Sequence, residues 1–148
     1  MPKVGGELID LYFQQHYKRG AILRFYMECD DPEFDFKYKF GILLNLDVTE
    51  PDALLAITTS NLKPFASGFL ENDIVRIPGG QYPCFPKKET IINLREIRTE
   101  LVTKLRTLCQ QKQMTFEGDL DPSDMIEVDV KLGASRLIEK HLKKRVVP

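Results

Sequence analysis

Residues 40–46 read Phe-Gly-Ile-Leu-Leu-Asn-Leu, a nearly unbroken apolar run inside the segment 37–47. A run of this length is shorter than a typical buried helix and favours a β-strand that is covered on both faces. We therefore expect the core of the protein to form around this strand.

Shorter strand patterns lie on either side of the central run. Residues 21–27 alternate, and Arg24 and Tyr26 fall on the opposite face from Leu23 and Phe25. Further strands are expected at 53–59, 74–77 and 90–94, with a turn at Pro78-Gly79-Gly80. Five strands with this spacing suit an antiparallel meander, which would bury its apolar faces best by curling into a small β-barrel.

Helical patterns occupy both ends of the chain. Residues 6–17 carry apolar side chains at helical spacing and end at Lys18-Arg19-Gly20. Leucines predict a second helix from about 99 to 111, although 97–102 could equally continue the sheet. Asp121-Pro122 predicts the start of a last helix, with a possible break at Gly133, and 116–120 is interpreted as a turn-rich connection.

The chain of 148 residues fits one mixed β/α domain, α+β or mainly β. We divide it into an N-terminal helix (1–18), a barrel (19–98) and a helical C-terminal part (99–148). The formal net charge is −1, so any contact with nucleic acid must depend on a local basic surface. The segments 28–35, which carries five acids, and 61–72 are expected to be loops.

The cysteine content and the hydropathy of the chain indicate where in the cell the protein is expected. The three cysteines are odd in number and lack metal-ligand spacing, so we expect reduced thiols and neither a metal site nor a cofactor. Residues 1–20 lack the pattern of a secretory signal, and no apolar stretch approaches the ~18 residues that span a bilayer. The expected location is the cytoplasm, without membrane contact.

The sequence contains no strong catalytic motif. Any catalytic site must therefore be inferred from small groups of polar residues. Lys37 and Lys39 point to one face of the central strand, and the next strand ends in Thr58, Thr59 and Ser60. If these strands are neighbours, the cations and hydroxyls could hold a phosphodiester and stabilise charge on its oxygens. The alternative is that the lysines protect a strand edge and the threonines serve β-structure. A catalytic pair of His16 and His141 would require both chain ends to meet.

The two long loops interleave aromatic and basic residues, as surfaces that bind single-stranded RNA do. The basic members are Lys63, Arg76, Lys87 and Lys88, and the aromatic members are Phe65, Phe69, Tyr82 and Phe85. The alternative is that these aromatic rings anchor the loops to the core.

Several segments between residues 19 and 142 resemble the MazF/PemK family of toxin endoribonucleases. The similar segments are Arg-Gly-Ala-Ile-Leu at 19–23, Lys-Phe-Gly-Ile-Leu-Leu at 39–44, Ala-Ile-Thr-Thr-Ser at 56–60, Glu-Thr-Ile-Ile-Asn-Leu at 89–94 and Gly-Asp-Leu at 118–120. The resemblance implies an SH3-like barrel, a homodimer and an antitoxin partner with an acidic tail.

It also implies metal-independent cleavage of single-stranded RNA, in which the ribose 2′-hydroxyl attacks the adjacent phosphate. By position, Lys39 replaces the family's catalytic arginine and Thr58 matches its threonine, while Arg24 or Thr59 would assist. Lysine keeps the charge but lacks the planar fork of arginine, and Phe40 replaces the family's proline. The alternative function is therefore a non-catalytic module that binds RNA or a protein partner, and a purely structural interaction protein is a third.

Overall fold

The computed structural model describes residues 2–28, 36–59, 68–85, 89–95 and 97–148. Its helices are α1 (Pro2–His16), α2 (Val102–Gln110), α3 (Pro122–Ala134) and α4 (Lys140–Val146). Its strands are β1 (Ala21–Glu28), β2 (Phe36–Leu43), β3 (Asp52–Thr59), β4 (Ile74–Ile77), β5 (Thr90–Asn93), β6 (Arg98–Leu101) and β7 (Met114–Asp119). A 3-10 turn, Gly68–Asp73, precedes β4.

The strands form one antiparallel sheet in the order β4-β5-β3-β2-β1-β7, and β6 pairs with β3 beside this path. The expected mixed fold of a sheet with helices is therefore confirmed. The two ends of the path, β4 and β7, are not paired with each other among the described strands, so the sheet is open and the prediction of a closed barrel is wrong at this point. Closure is unnecessary for burial, because helices cover both faces.

Two helical layers sandwich the sheet. On the α1/α2 face, Phe13 and Leu105 pack with Leu23, Phe25 and Leu55. On the opposite α3/α4 face, Val128 and Leu132 pack with Ile42, Leu54 and Ala56. The predicted double burial of the central strand is confirmed, and it follows from the alternation of side chains along β2 and β3.

Two strands lie beyond residue 97, within the part that was expected to be helical, and the alternative that 97–102 continues the sheet is confirmed at 98–101. Residues 98–101 pair with 52–55 of β3, and the helix starts only at Val102. Met114–Asp119 pairs with β1, where the sequence suggested a connection. Both strands are short, and most of their side chains are at least partly exposed, so they lack the apolar run or alternation that identifies a strand in a sequence.

Partly buried polar groups join the sheet to the C-terminal helices. Arg19 donates from Nε to the carbonyl oxygen of Leu44 at 3.1 Å, and from a terminal nitrogen to the carboxylate of Asp129 at 2.7 Å and the carbonyl oxygen of Val146 at 2.6 Å. The backbone N–H of Leu46 donates to the carbonyl oxygen of Arg145 at 3.0 Å. Among the helices that the structure describes, none has the length and apolar character needed to cross a bilayer.

Candidate nucleic-acid interface

The two residues expected to share a phosphate pocket, Lys39 and Thr58, lie on opposite faces of the sheet. Lys39 is paired with Phe25, which belongs to the α1/α2 face. Thr58 alternates with Ala56, which belongs to the α3/α4 face, and is paired with Ile92 of the same cluster. Because successive side chains of a strand point to opposite faces, the sheet itself separates the two groups.

Burial also argues against Thr58 as a catalytic hydroxyl. Only 5% of Thr58 is exposed, so its side chain contributes to the core instead of a cleft. The predicted Lys39–Thr58 site is therefore not formed, and the reason is the register of β2 and β3, in which Gly41 is opposite Ile57. A sequence motif with two adjacent threonines does not show which of their side chains lies on which face of the sheet.

Thr59, the next residue, is on the same face as Lys39. A Cβ added to Gly41 would lie 3.1 Å from Cε1 of Phe25 and 3.5 Å from Cδ1 of Ile57, which places this side of both strands on the α1/α2 face. Lys39 is two residues from Gly41, and Thr59 is two residues from Ile57. Both side chains are partly buried, Lys39 in the middle of β2 and Thr59 at the end of the neighbouring β3. A cation and a hydroxyl thus share one face, but the hydroxyl belongs to Thr59 instead of Thr58.

Arg24 belongs to a cluster on the α3/α4 face that the sequence did not indicate. Its guanidinium carbon lies 4.0 Å from the ring centroid of Tyr38, and the rings of Tyr38 and Tyr26 are 5.0 Å apart. Tyr26 and Tyr38 are direct partners in the register of β1 and β2, and 40% of Tyr38 is exposed. We call these three residues the Arg24 cluster. The alternation of 21–27 already put Tyr26 beside Arg24, but only the register of β2 could add Tyr38.

A row of aromatic rings continues from this cluster into the core. Phe40 lies two residues from Tyr38 on the same face and contacts Phe85 edge to face at 5.4 Å, and Phe85 contacts Tyr82 at 5.5 Å. Tyr82 and Phe85 are buried, so these two loop aromatics anchor their loop and are not available for RNA. The Tyr82 hydroxyl donates to Asp124 and accepts from the backbone N–H of Asp121; burial, followed by the bond to Asp124, raises the pKa of Tyr82.

The other predicted RNA contacts receive little support. Arg76 donates to the carboxylates of Glu71 and Glu89, so acids of the protein itself already engage its guanidinium. Lys37 lies on β2 with its backbone opposite Met27. The remaining candidates, Ser60, Lys63, Phe65, Lys87 and Lys88, lie outside the described residues.

Neither a histidine pair nor a metal cluster is present in the part of the chain that the structure describes. His16 stacks near Phe116 at 5.7 Å, whereas His141 on α4 pairs with Glu139 at 3.2 Å, so the two lie in different helical layers. No group of three or more His, Cys, Asp or Glu residues within the described ranges could hold a metal ion.

Two clefts flank the C-terminal helices. One, of about 420 Å³, lies at the junction of β5 and β6 and is lined by Ile57, Ile97, Leu142 and the arginines Arg95 and Arg98. The other, of about 620 Å³, runs beside α3 along Val130, Ala134 and Leu137. Neither of these two clefts is lined by Lys39, Thr58 or Arg24.

Comparison with known proteins adds no assignment. No protein-family model matches the chain, and no curated protein is significantly similar to it.

Proposed function

We propose that this chain is a divergent MazF/PemK-like protein that binds single-stranded RNA at the Arg24 cluster. The observation that carries the proposal is the guanidinium of Arg24 at 4.0 Å from the ring of Tyr38, with Tyr26 beside it and Tyr38 exposed on the sheet. In this proposal, the open sheet is a divergent form of the SH3-like barrel of that family.

The chemistry of the cluster fits an unpaired base better than a duplex. Exposed tyrosine rings offer a flat surface on which any base can stack, and an arginine can contact the neighbouring phosphate or the base itself. Bases in a duplex are already stacked on each other and cannot lie on a protein ring. A preference for single strands therefore follows.

The charge of the chain limits how the RNA can be held. Five acids occupy residues 28–35, of which Glu28 is the last residue of β1, and the net charge is −1. Few phosphates can be neutralised near the cluster, so stacking must supply most of the affinity. Binding should then depend weakly on salt, with a slope of log K against log salt of about −1.

The proposal is tested with a labelled single-stranded RNA in fluorescence anisotropy. Because stacking of a base on an aromatic ring contributes about 1–3 kcal/mol, Tyr38→Ala should weaken binding about 5-fold or more. Tyr38→Phe, which keeps the ring, should bind almost as the wild type does. Arg24→Ala should also weaken binding, whereas Arg95→Ala, which removes an exposed arginine elsewhere, serves as the matched control. Equal affinity of the wild type and Tyr38→Ala would contradict the proposal.

A second candidate is metal-independent RNA cleavage, and the shared face of Lys39 and Thr59 favours it. In that reaction the 2′-oxygen forms a bond to phosphorus and the 5′-oxygen leaves, so negative charge grows on the phosphate oxygens. An ammonium group and a hydroxyl donor are suited to stabilise that charge. Lys39 and Thr59 would take these roles in place of Lys39 and Thr58.

Incubation of the protein with single-stranded RNA in EDTA distinguishes RNA binding from RNA cleavage. Cleavage should leave cyclic phosphate ends and should be lost in Lys39→Ala and in Thr59→Val, which removes the hydroxyl but keeps the shape. Thr58→Val is the matched control and should cleave normally. If the wild type binds RNA without cutting it, the chain is a binding module only.

The partners and compartment follow from the same resemblance. In this proposal the protein acts in the cytoplasm, where its described cysteines, Cys84 and Cys109, would stay reduced as they are in the structure. An antitoxin with an acidic tail would compete with RNA for Arg24.

A further inference from the structure

The sheet has a gap beside β3, and the cleft of about 420 Å³ lies at this gap. Residues 52–55 of β3 pair with β6, and residues 58–59 pair with β5. Among the described strands, nothing therefore pairs with Ala56 and Ile57 on this side of β3. The order of the strands thus leaves room for a cavity, and Ile57 lines it. We call it the β5/β6 cleft.

Much of the lining of the β5/β6 cleft is apolar. Ile57 packs against the cluster on the α1/α2 face, whereas Ile97, Ile138 and Leu142 belong to or pack against the cluster on the α3/α4 face. Ile57, Ile97 and Leu142 are only partly buried, so they leave apolar surface for a ligand to cover. The volume of the cleft is within the range of small-molecule sites, about 300–1,000 Å³.

Two arginines give the β5/β6 cleft more positive than negative charge. Arg95 is exposed, and within the described ranges no acid pairs with its guanidinium. Arg98 donates from Nε to Glu100 at 2.8 Å, a bond that holds its guanidinium in place. Glu139 also lines the cleft, but 72% of its side chain is exposed and it pairs with His141, so water and salt screen its charge. The cleft therefore favours an anion.

From these observations we infer that the β5/β6 cleft binds a small organic carboxylate, whose apolar body covers Ile57, Ile97 and Leu142 and whose carboxylate faces the two arginines. The planar fork of a guanidinium fits a carboxylate with two parallel hydrogen bonds. A phosphate monoester fits the same fork but carries about 1.5 to 2 negative charges at neutral pH, and the additional charge would be repelled by Glu139. A single charge on an apolar body is therefore the better match.

The inference is tested by titrating the full chain, with ¹³C-labelled isoleucine and leucine methyl groups, with octanoate in NMR spectra. Saturable shifts should concentrate on the methyl groups of Ile57, Ile97 and Leu142. Octanamide has the same chain length without the charge and should bind about 10-fold more weakly, because hydrogen bonds to charged groups are the stronger ones. Octyl phosphate should bind no more tightly than octanoate. The absence of saturable shifts, equal affinity for octanamide or tighter binding of octyl phosphate would overturn the inference.

Variants at the edge of the cleft test the role of charge. Arg95→Gln should raise the dissociation constant of octanoate about 10-fold and leave that of octanamide unchanged. Leu137→Glu adds a negative charge where 55% of the leucine is exposed, and it should have the same selective effect.

Arg136→Gln removes an exposed arginine that does not line the β5/β6 cleft, and it should bind both compounds as the wild type does. Methyl spectra of the free variants confirm that they are folded. Equal affinity of the wild type and Arg95→Gln for octanoate would contradict the inference. None of these results would bear on RNA binding, since the Arg24 cluster lies on β1 and β2.

Discussion

At the scale of single residues, Arg19 shows how one side chain can connect distant parts of a chain. Its three acceptors are the carbonyl oxygen after β2, the carboxylate of Asp129 on α3 and the carbonyl oxygen of Val146 at the end of α4. The Arg19 and Asp129 side chains are 19% and 29% exposed, so the ion pair is only partly screened by water. The guanidinium therefore holds the sheet and both C-terminal helices together.

We expect Arg19→Ala to lower the free energy of unfolding by about 2 kcal/mol, because hydrogen bonds to charged groups contribute about 1.5–3 kcal/mol and two carbonyl groups lose their donor. Urea denaturation measures the change. Lys18→Ala removes a neighbouring, more exposed cation and should cost much less. Equal loss of stability in the two variants would show that Arg19 does not have this connecting role.

The sequence could not have assigned this role to Arg19. Its position after a helical pattern suggested only a cation at the end of α1, whereas its partners are 25, 110 and 127 residues away. The same dependence on contacts between distant segments explains why the sequence did not give the geometry of the candidate site. Residue types near 39 and 58 were visible in the sequence, but the choice between Thr58 and Thr59 depends on a register between strands.

At the scale of elements, an ion-pair cluster joins the 3-10 turn, β4 and the residue before β5. Arg76 on β4 donates to Glu71 of the turn and to Glu89. The hydrogen bond from Arg76 lowers the pKa of Glu71 from its ordinary value of 4.5. The folded state thus prefers ionised Glu71, and this preference stabilises the fold only while Glu71 is ionised.

The stabilisation by Glu71 should be fully present above pH 4.5 and should disappear as the pH falls through the lower pKa of the folded state. The measurement compares thermal unfolding of the wild type and Glu71→Gln at a series of pH values. The gap between their midpoints should narrow in acid. Glu7→Gln, at an exposed position on α1, provides the control. A gap that stays constant through this range would contradict the assignment.

Elements with a strong pattern were predictable, and those without one were not. β4 was predicted at its observed bounds, and the bounds of β1, β3 and β5 differ by one residue at most, because apolar and β-branched residues dominate these segments. In β7 only Met114 is fully buried, so pairing with β1 alone defines that strand. The pattern of β6 merges with that of α2, which follows without a break.

At the scale of the whole molecule, the last nine residues complete the core. Val146 is fully buried on the α3/α4 face, Arg145 pairs with Glu50 at 2.6 Å, and its carbonyl oxygen accepts from Leu46. The C-terminal end therefore packs against the segment between β2 and β3, far away in sequence.

Removal of residues 140–148 should lower the free energy of unfolding by at least about 3 kcal/mol, since burial of one aliphatic side chain contributes about 1.5–3 kcal/mol and several hydrogen bonds are lost as well. Val146→Asp, which keeps the full length, should also destabilise the protein strongly, and deletion of Pro148 alone should have little effect. Chemical denaturation measures all three. Unchanged stability after the truncation would mean that α4 is not part of the cooperative unit.

An open sheet has two edge strands, whereas a closed barrel has none. Among the described strands, β4 and β7 end the path, and their outer backbone groups could recruit a strand from another molecule and start aggregation. β4 limits this hazard by being only four residues long, and β7 carries the charges of Glu117 and Asp119 around Gly118, whose φ of 128° interrupts regular extension. Short length, charge and irregular backbone all oppose pairing with a further strand, so the polar character that hid β7 in the sequence also makes it a poor template for aggregation.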